Sequence, residues 1–503
     1  MHRLLLGAVV ALAAAYSVPA ASQGALRIGL RQDPDLLDPT LGSSYVGRIV
    51  YAAMCDKLFD LDTKLNIVPQ LATGYRYEDP THLVIHLRAG VTFHDGEPLT
   101  SEAAKYKLTR DLTAKGSMRA GEINAIQTIE VLDPLTIRLV LKAPNSPLLA
   151  QLTDRAGIMI SPKAVEAEGD QFGLHPVCAG PFAFESRVQQ DRILLRRYPG
   201  YWNPGDYHFE QVVYLPMTNS SVRLANLQAG SLDLVEFVVP TDVAAVQQDP
   251  NLKLAIGDAL GYTGINFNMN NGTAANTAIG QNVLVRQAFE LSIDRTALIQ
   301  VVYNGMFTPT AQANPQSSPY YVPSVQPPAR DVAKARALLQ QAGVTTPVTV
   351  VLTTTNESDT QQTAEVIQSM AAEAGFEVKI QAVEFATALD AGERGDFEAF
   401  LIGWSGRADI DANLYSFVHS GTPLNNGGYS TKDVDAWLGQ AREVADVPAR
   451  SAIYAKLAVQ LEQDLPLIYL FAGKNIVAMS TKVGGFVPVP DGIVRPQGMS
   501  VSK

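Results

Sequence analysis

The chain has 503 residues, 47% of them hydrophobic and 18% charged, with a formal net charge of −11. That length implies about three domains and a sizeable buried core. The acidic balance argues against nucleic acid and against anionic membrane surfaces, both of which are held by Lys and Arg.

His2 and Arg3 precede an apolar run over residues 4–18, followed by the small residues Ala20, Ala21 and Ser22. This is the pattern of a secretory leader and is short for a membrane span; an uncleaved anchor is the alternative. The expectation is a signal peptide over residues 1–23 and a mature chain outside the cytoplasm. No cysteine stands directly after the apolar run, so a lipid anchor is not expected and a periplasmic location is.

Residues 26–30 (LRIGL) alternate as a short strand, and residues 44–59 carry a helical apolar period. Strand-like alternation fills residues 60–100, with His82, Val84 and His86 on one face of HLVIHLRAGVTF. Thr100 is placed to cap a helix over 101–113, with Glu102 in its first turn. Residues 126–142 read as a hairpin turning at Asp133 and Pro134. Strands are expected at 192–197, 212–217 and 232–239, with a helix over 220–230. Residues 265–480 are α/β in pattern. A long helix is expected over 282–303, and Asp331 caps another that stops at Gly343. Strand 347–354, helix 360–374 and strand 377–383 form a unit that implies a parallel strand pair. Strand 396–404 runs into GWSGRAD; helices at 432–443 and 448–463 and strands at 467–470 and 476–479 complete the chain.

A search for catalytic chemistry yields little. His82 and His86 are four apart, but on a strand and without a third ligand type nearby, so no metal site is expected. No nucleophile elbow, P-loop or dinucleotide fingerprint occurs. The reading is therefore no enzyme, no catalytic residue, no cofactor and no metal. Cys55 and Cys178 are the two cysteines. In an exported chain such a pair suggests a disulfide, worth roughly 4–5 kcal/mol by loop entropy before strain; two buried free thiols are the alternative.

Five segments stand in a telling order: TFHDGEPLTSEAAKYKLTR (92–110), CAGPF (178–182), GINFNMN (264–270), VRQAFELSIDR (285–295) and GWSGRAD (403–409). Arg88, Gly90, Val91, Phe93, His94, Asp95, Gly96, Pro98, Leu99 and Thr100 supply a turn and helix start. Tyr201 and Trp202 precede a strand, and Tyr429 and Ser430 precede a late helix. In this order the chain resembles the extracytoplasmic solute-binding proteins, family 5, of ABC importers, the oligopeptide-, dipeptide- and nickel-binding receptors. The likeness spans about residues 26–480.

The resemblance implies an α/β, two-lobed periplasmic-binding-protein-like fold with an additional inserted domain and the ligand cleft between the lobes. Lobe I is then discontinuous, over 24–57, 176–265 and 480–503; the inserted domain covers 58–175 and lobe II covers 266–479. Asn266 and Asn268 would fall at the hinge, where they satisfy strand backbone or serve structure alone. Gly403, Trp404, Ser405, Gly406, Arg407 and Asp409 form the expected ligand segment, at a strand end where α/β sites collect. In peptide-binding relatives an aspartate there pairs with the peptide's amino group; counting from the Gly-Trp pair, Arg407 takes that position, with Asp409 two residues on. A dipeptide-binding relative holds the peptide carboxylate with an arginine after the first strand of the βαβ unit, whereas LTTTNESDT (352–360) has neither Arg nor Lys. Arg407 thus suggests an anionic group on the ligand, or else a structural pair with Asp409 or Asp411. Ser43, Ser44, Tyr45 and Tyr429 complete the candidates, with helix capping and packing as their alternatives.

The expected function is a monomeric receptor that captures a short peptide or related carboxylate-bearing small molecule by hinge closure. It would deliver that solute to an ABC permease and ATPase complex in the inner membrane. A sensor or chaperone on the same fold, and a secreted hydrolase, are the alternatives.

Overall fold

The computed structural model describes residues 23–502. Residues 1–22 of the expected leader lie outside the described residues. Three sheets organise the rest. The first has seven strands, in the order Leu252–Asp258, Lys474–Ser480, Leu234–Val235, Gln23–Leu30, Phe209–Pro216, Arg192–Arg197 and Phe182–Val188. Gln23–Leu30 runs parallel to both of its neighbours. Its alternating Leu26, Ile28 and Leu30 are fully buried, as a central strand requires. The helix Tyr45–Met54 packs on this sheet through Val46, Ile49 and Val50, and Ser44 caps it by accepting from the Gly47 backbone N–H.

The inserted domain is a four-stranded antiparallel sheet, Ala72–Asp79, His82–Leu87, Thr136–Leu141 and Ile126–Asp133, covered by the helix Ser101–Thr113. Thr100 caps that helix through the Ala103 N–H. The third sheet orders Thr308–Pro309, Leu467–Ala472, Tyr262–Phe267, Ala399–Trp404, Val348–Thr355 and Phe376–Val383. Val348–Thr355 and Phe376–Val383 pair in parallel around the helix Ser358–Ala374, the expected βαβ unit.

Several expectations are corrected. The helix expected over 282–303 is two, Val283–Leu291 and Arg295–Tyr303. The Ser292 hydroxyl donates to the Phe289 carbonyl and closes the first; Asp294 caps the second through Ala297 N–H. The strand expected over 232–239 pairs only at Leu234–Val235. Pro240 then starts a short turn, and the intervening residues carry Glu236 and Phe237 to the space between the lobes.

The passages between lobes also move. Leu252–Asp258 lies in the first sheet and Tyr262–Phe267 in the third, so the chain crosses at 259–261. It returns at Gly473, between Leu467–Ala472 and Lys474–Ser480. Ala259 N–H donates to the Gly473 carbonyl at 3.3 Å, tying the two crossings together. Asn266 and Asn268 therefore sit inside the second lobe. Asn268 is fully buried, and its amide donates to the carbonyls of Asn271, Gly395 and Phe397 at 2.8–2.9 Å.

Cys55 and Cys178 form a disulfide with a Cα separation of 4.9 Å, joining the end of Tyr45–Met54 to the CAGPF segment. A side chain at Gly180 would place its Cβ 2.3 Å from the Met54 carbonyl oxygen, so only glycine fits. His94 of the HDG turn docks on the same segment. Its backbone N–H donates to the Cys178 carbonyl at 2.9 Å, and its ring lies between Gly180 O at 3.0 Å and Cys178 N at 3.4 Å. A neutral ring, donating from Nε2 and accepting at Nδ1, satisfies both. Burial pushes His94 down to about 4.

A lowered histidine favours the folded state while neutral, so its contribution is complete above about pH 6.5 and is lost as pH falls toward 4. In that window wild type should lose stability relative to His94→Gln by up to about 1.4 kcal/mol per pH unit, read by urea unfolding. Parallel pH profiles for the two proteins would remove His94 as the source of that pH dependence.

Candidate functional site

The cleft between the first and third sheets encloses about 240 Å³. Its first-lobe wall comes from strand ends. Arg31 and Gln32 follow Gln23–Leu30, and Glu236 and Phe237 follow Leu234–Val235. Its second-lobe wall is Tyr262, Thr263 and Asn266, the turn from Thr355 to Asp359 and Thr363, and the end of Ala399–Trp404. Crevices outside the carboxyl ends of strands are where open α/β sheets bind ligands. Tyr303, Phe307 and Phe471 form one aromatic group, with centroids 4.4–5.4 Å apart. Tyr262, Phe417 and Trp404 form another, by edge contacts at 6.5 and 4.8 Å.

Charge gathers beside the first group. The Arg31 guanidinium donates to Asp359 Oδ2 at 3.1 Å, its backbone N–H donates to Glu236 Oε1 at 2.8 Å, and its charged carbon lies 4.4 Å from the Phe237 ring centre. Gln32 donates to Glu357 Oε1 at 2.5 Å. Burial works against the Arg31 charge, but Asp359, Glu357 and Glu236 outweigh it and hold the group above its ordinary range. Burial pushes the Glu236 carboxyl up, against the opposing pull of Arg31 and Arg223.

Of the ten ligand candidates, Ser43, Tyr45, Gly403, Trp404 and Ser405 line this cleft. Ser43 Oγ donates to Asp35, and Tyr45 donates to the Gly492 carbonyl at 2.5 Å. The other five do not line it. Ser44 is the helix cap. Gly406 turns the chain at φ +74°, where a Cβ would meet the Leu260 backbone at 2.2 Å. Asp409 receives both Nη groups of Arg450, at 2.7 and 2.8 Å. Tyr429 donates to Asp464 Oδ2 at 2.6 Å within a buried cluster.

Arg407 is the main correction. It lies behind Trp404, its charged carbon 4.4 Å from that ring, and bonds the Gly406 carbonyl at 2.7 Å. Its Nε pairs with Asp154 of the inserted domain. Arg48 of lobe I holds the same carboxylate at 3.1 Å. Neither Asp409 nor Asp411 is its partner, since Asp411 pairs with Arg442 at 2.7 Å. Burial works against the Asp154 charge, yet Arg407 and Arg48 hold its carboxyl well below the usual range. Arg31, Glu236 and Asp359 are cleft-lining residues that sequence reasoning missed. One signal was available: Glu236 is a lone carboxylate inside the apolar run LVEFVV (234–239).

Arg407→Ala removes one of the two arginines on a buried carboxylate shared by three parts of the fold and leaves Arg48 on it. It should cost about 1–3 kcal/mol in urea unfolding of the ligand-free chain. A variant as stable as wild type but unable to bind ligand would return Arg407 to the binding surface.

Residues 66–425 match the family described as bacterial extracellular solute-binding proteins, family 5 Middle. The chain is 30% identical over 475 residues to the glutathione-binding protein GsiB of Salmonella choleraesuis (strain SC-B67), covering 90% of each. It is 29% identical over the same length to GsiB of Escherichia coli O1:K1 / APEC, again covering 90% of each. Among solved structures it is similar to AgaA of A. tumefacien R10 in complex with agropinic acid (TM-score 0.87, 26% identity, 95% of this chain and 99% of that one). It also shares the fold of the periplasmic binding protein DppA from Helicobacter pylori (TM-score 0.88, 24% identity, 96% of this chain and 99% of that one). The two-lobed cleft and these matches agree: this chain belongs to the bacterial extracellular solute-binding proteins, family 5.

Proposed function

We propose that the chain is the solute-capturing receptor of an ABC importer. It closes its two lobes on a short peptide or peptide-like small molecule and passes it to a membrane permease and its ATPase. The observation that carries this reading is the lining of the cleft. Among the described residues ten aromatic side chains face a space of about 240 Å³ at strand ends of both lobes. Such walls bind the apolar body of a small solute over most of its surface, while a few polar groups fix its orientation. Arg31 bonding Asp359 and Gln32 bonding Glu357 join the lobes, a contact set that suits hinge closure. Relatives named for glutathione and a neighbour holding agropinic acid support a solute of this size.

A thermal-shift screen of the mature chain against di- and tripeptides, glutathione and agropinic acid tests the reading. A ligand at a hundred times its dissociation constant adds about 2.7 kcal/mol, a shift of several degrees. Phe385→Ala, which removes a ring from the cleft wall, should shrink the ligand-induced shift more than it lowers the ligand-free melting point. A chain that none of these compounds stabilises would contradict a peptide-like solute.

A further inference from the structure

The charge of the cleft points to the chemistry of the solute. Among the described cleft-lining residues the cations are Arg31 and Lys474. Lys474 is bonded to Asp258 at 2.7 Å. Arg31 faces three carboxylates, from Asp359, Glu236 and Glu357. Arg223 is close enough to influence Glu236, yet its guanidinium donates to the carbonyls of Met217 and Phe237. Even with Arg223 counted, this end of the cleft holds one more carboxylate than cation. Glu236 is only 3% exposed, and its Oε1 accepts from the Arg31 backbone while Oε2 has no protein partner among the described residues. Asp359, 6% exposed, uses Oδ2 on Arg31. Beside them the Tyr303 ring stacks on Phe307 at 4.4 Å, and ring faces attract cations. Arg407 and Arg48 do not line the cleft and are paired with Asp154.

We propose that the cleft selects a solute carrying a positively charged nitrogen, an ammonium or guanidinium group, seated against Glu236 and Asp359 beside Tyr303. The proposal rests on the receptor reading above and reverses the sign of ligand charge that Arg407 suggests in the sequence. A cation there gives the buried Glu236 carboxylate the partner it lacks, where an anion would add to an uncompensated negative site. It also explains why Arg31 is engaged in closing the lobes and does not stand free for a carboxylate.

Isothermal titration with a series of near-equal shape and graded charge tests this. The probes are phenylalanyl-arginine amide, phenylalanyl-citrulline amide, its N-acetyl form, and N-acetyl-phenylalanyl-glutamate amide. Affinity should fall by about tenfold or more from the first probe to the neutral third, with the anionic fourth weakest. Glu236→Gln should narrow the gap between the first two probes, with melting of the ligand-free protein as the check on folding. Asp359→Asn serves if that variant does not fold. Equal or tighter binding of the neutral or anionic probe overturns the cation site and leaves the receptor reading standing. The cation site is likewise overturned if glutathione or agropinic acid binds and none of the series does. If neither the series nor those two compounds bind, both readings fall.

Discussion

A single carboxylate, Asp154, is shared by arginines from both lobes. Arg48 reaches it from the first lobe and Arg407 from the second, while Asp154 itself belongs to the inserted domain. Ions of this kind are costly to desolvate and stable only when paired, so this contact ties the three parts of the chain together in the arrangement of this structure. Neither arginine lines the cleft. Its walls are aromatic, with an acidic end around Arg31, and that residue pattern decides what the cleft can hold.

The lobes are joined by two crossings that lie side by side, at 259–261 and at Gly473. A Cβ on Gly261 would fall 1.7 Å from the Trp404 carbonyl oxygen. The GWSGRAD turn and the first crossing are therefore packed backbone against backbone. Rotation about the crossings would move Trp404 and Ser405 relative to Tyr45 and Glu236, which is how a bound solute and lobe closure become coupled. Two bonds between the lobes, Arg31 to Asp359 and Gln32 to Glu357, are made in this structure and would have to break if the lobes separated.

Local features of this fold are legible in the sequence because local rules set them. Thr100 and Asp331 cap helices where their side chains reach the next turn, and the βαβ unit follows from its periodicity. The split at Ser292 and Asp294 escapes because the apolar pattern continues across it, while two short polar side chains bond backbone and end one helix to start the next. The segment order carries the family. The cleft's chemistry is not local. Arg407 stands in a loop where its sequence neighbours Asp409 and Asp411 are the obvious partners, yet each meets a different arginine, and Asp154 arrives from the inserted domain. LTTTNESDT (352–360) draws notice in sequence for lacking a cation; in the fold its Glu357 and Asp359 supply charge to the cleft. Glu236 reaches that place only because the chain leaves the first sheet before Pro240.

Native mass spectrometry of the mature chain with an equimolar mixture of cationic, neutral and anionic dipeptide amides tests the central claim most directly. An acidic, aromatic cleft predicts a one-to-one complex dominated by the cationic species. A complex dominated by the anionic species, or retention of none, would contradict it.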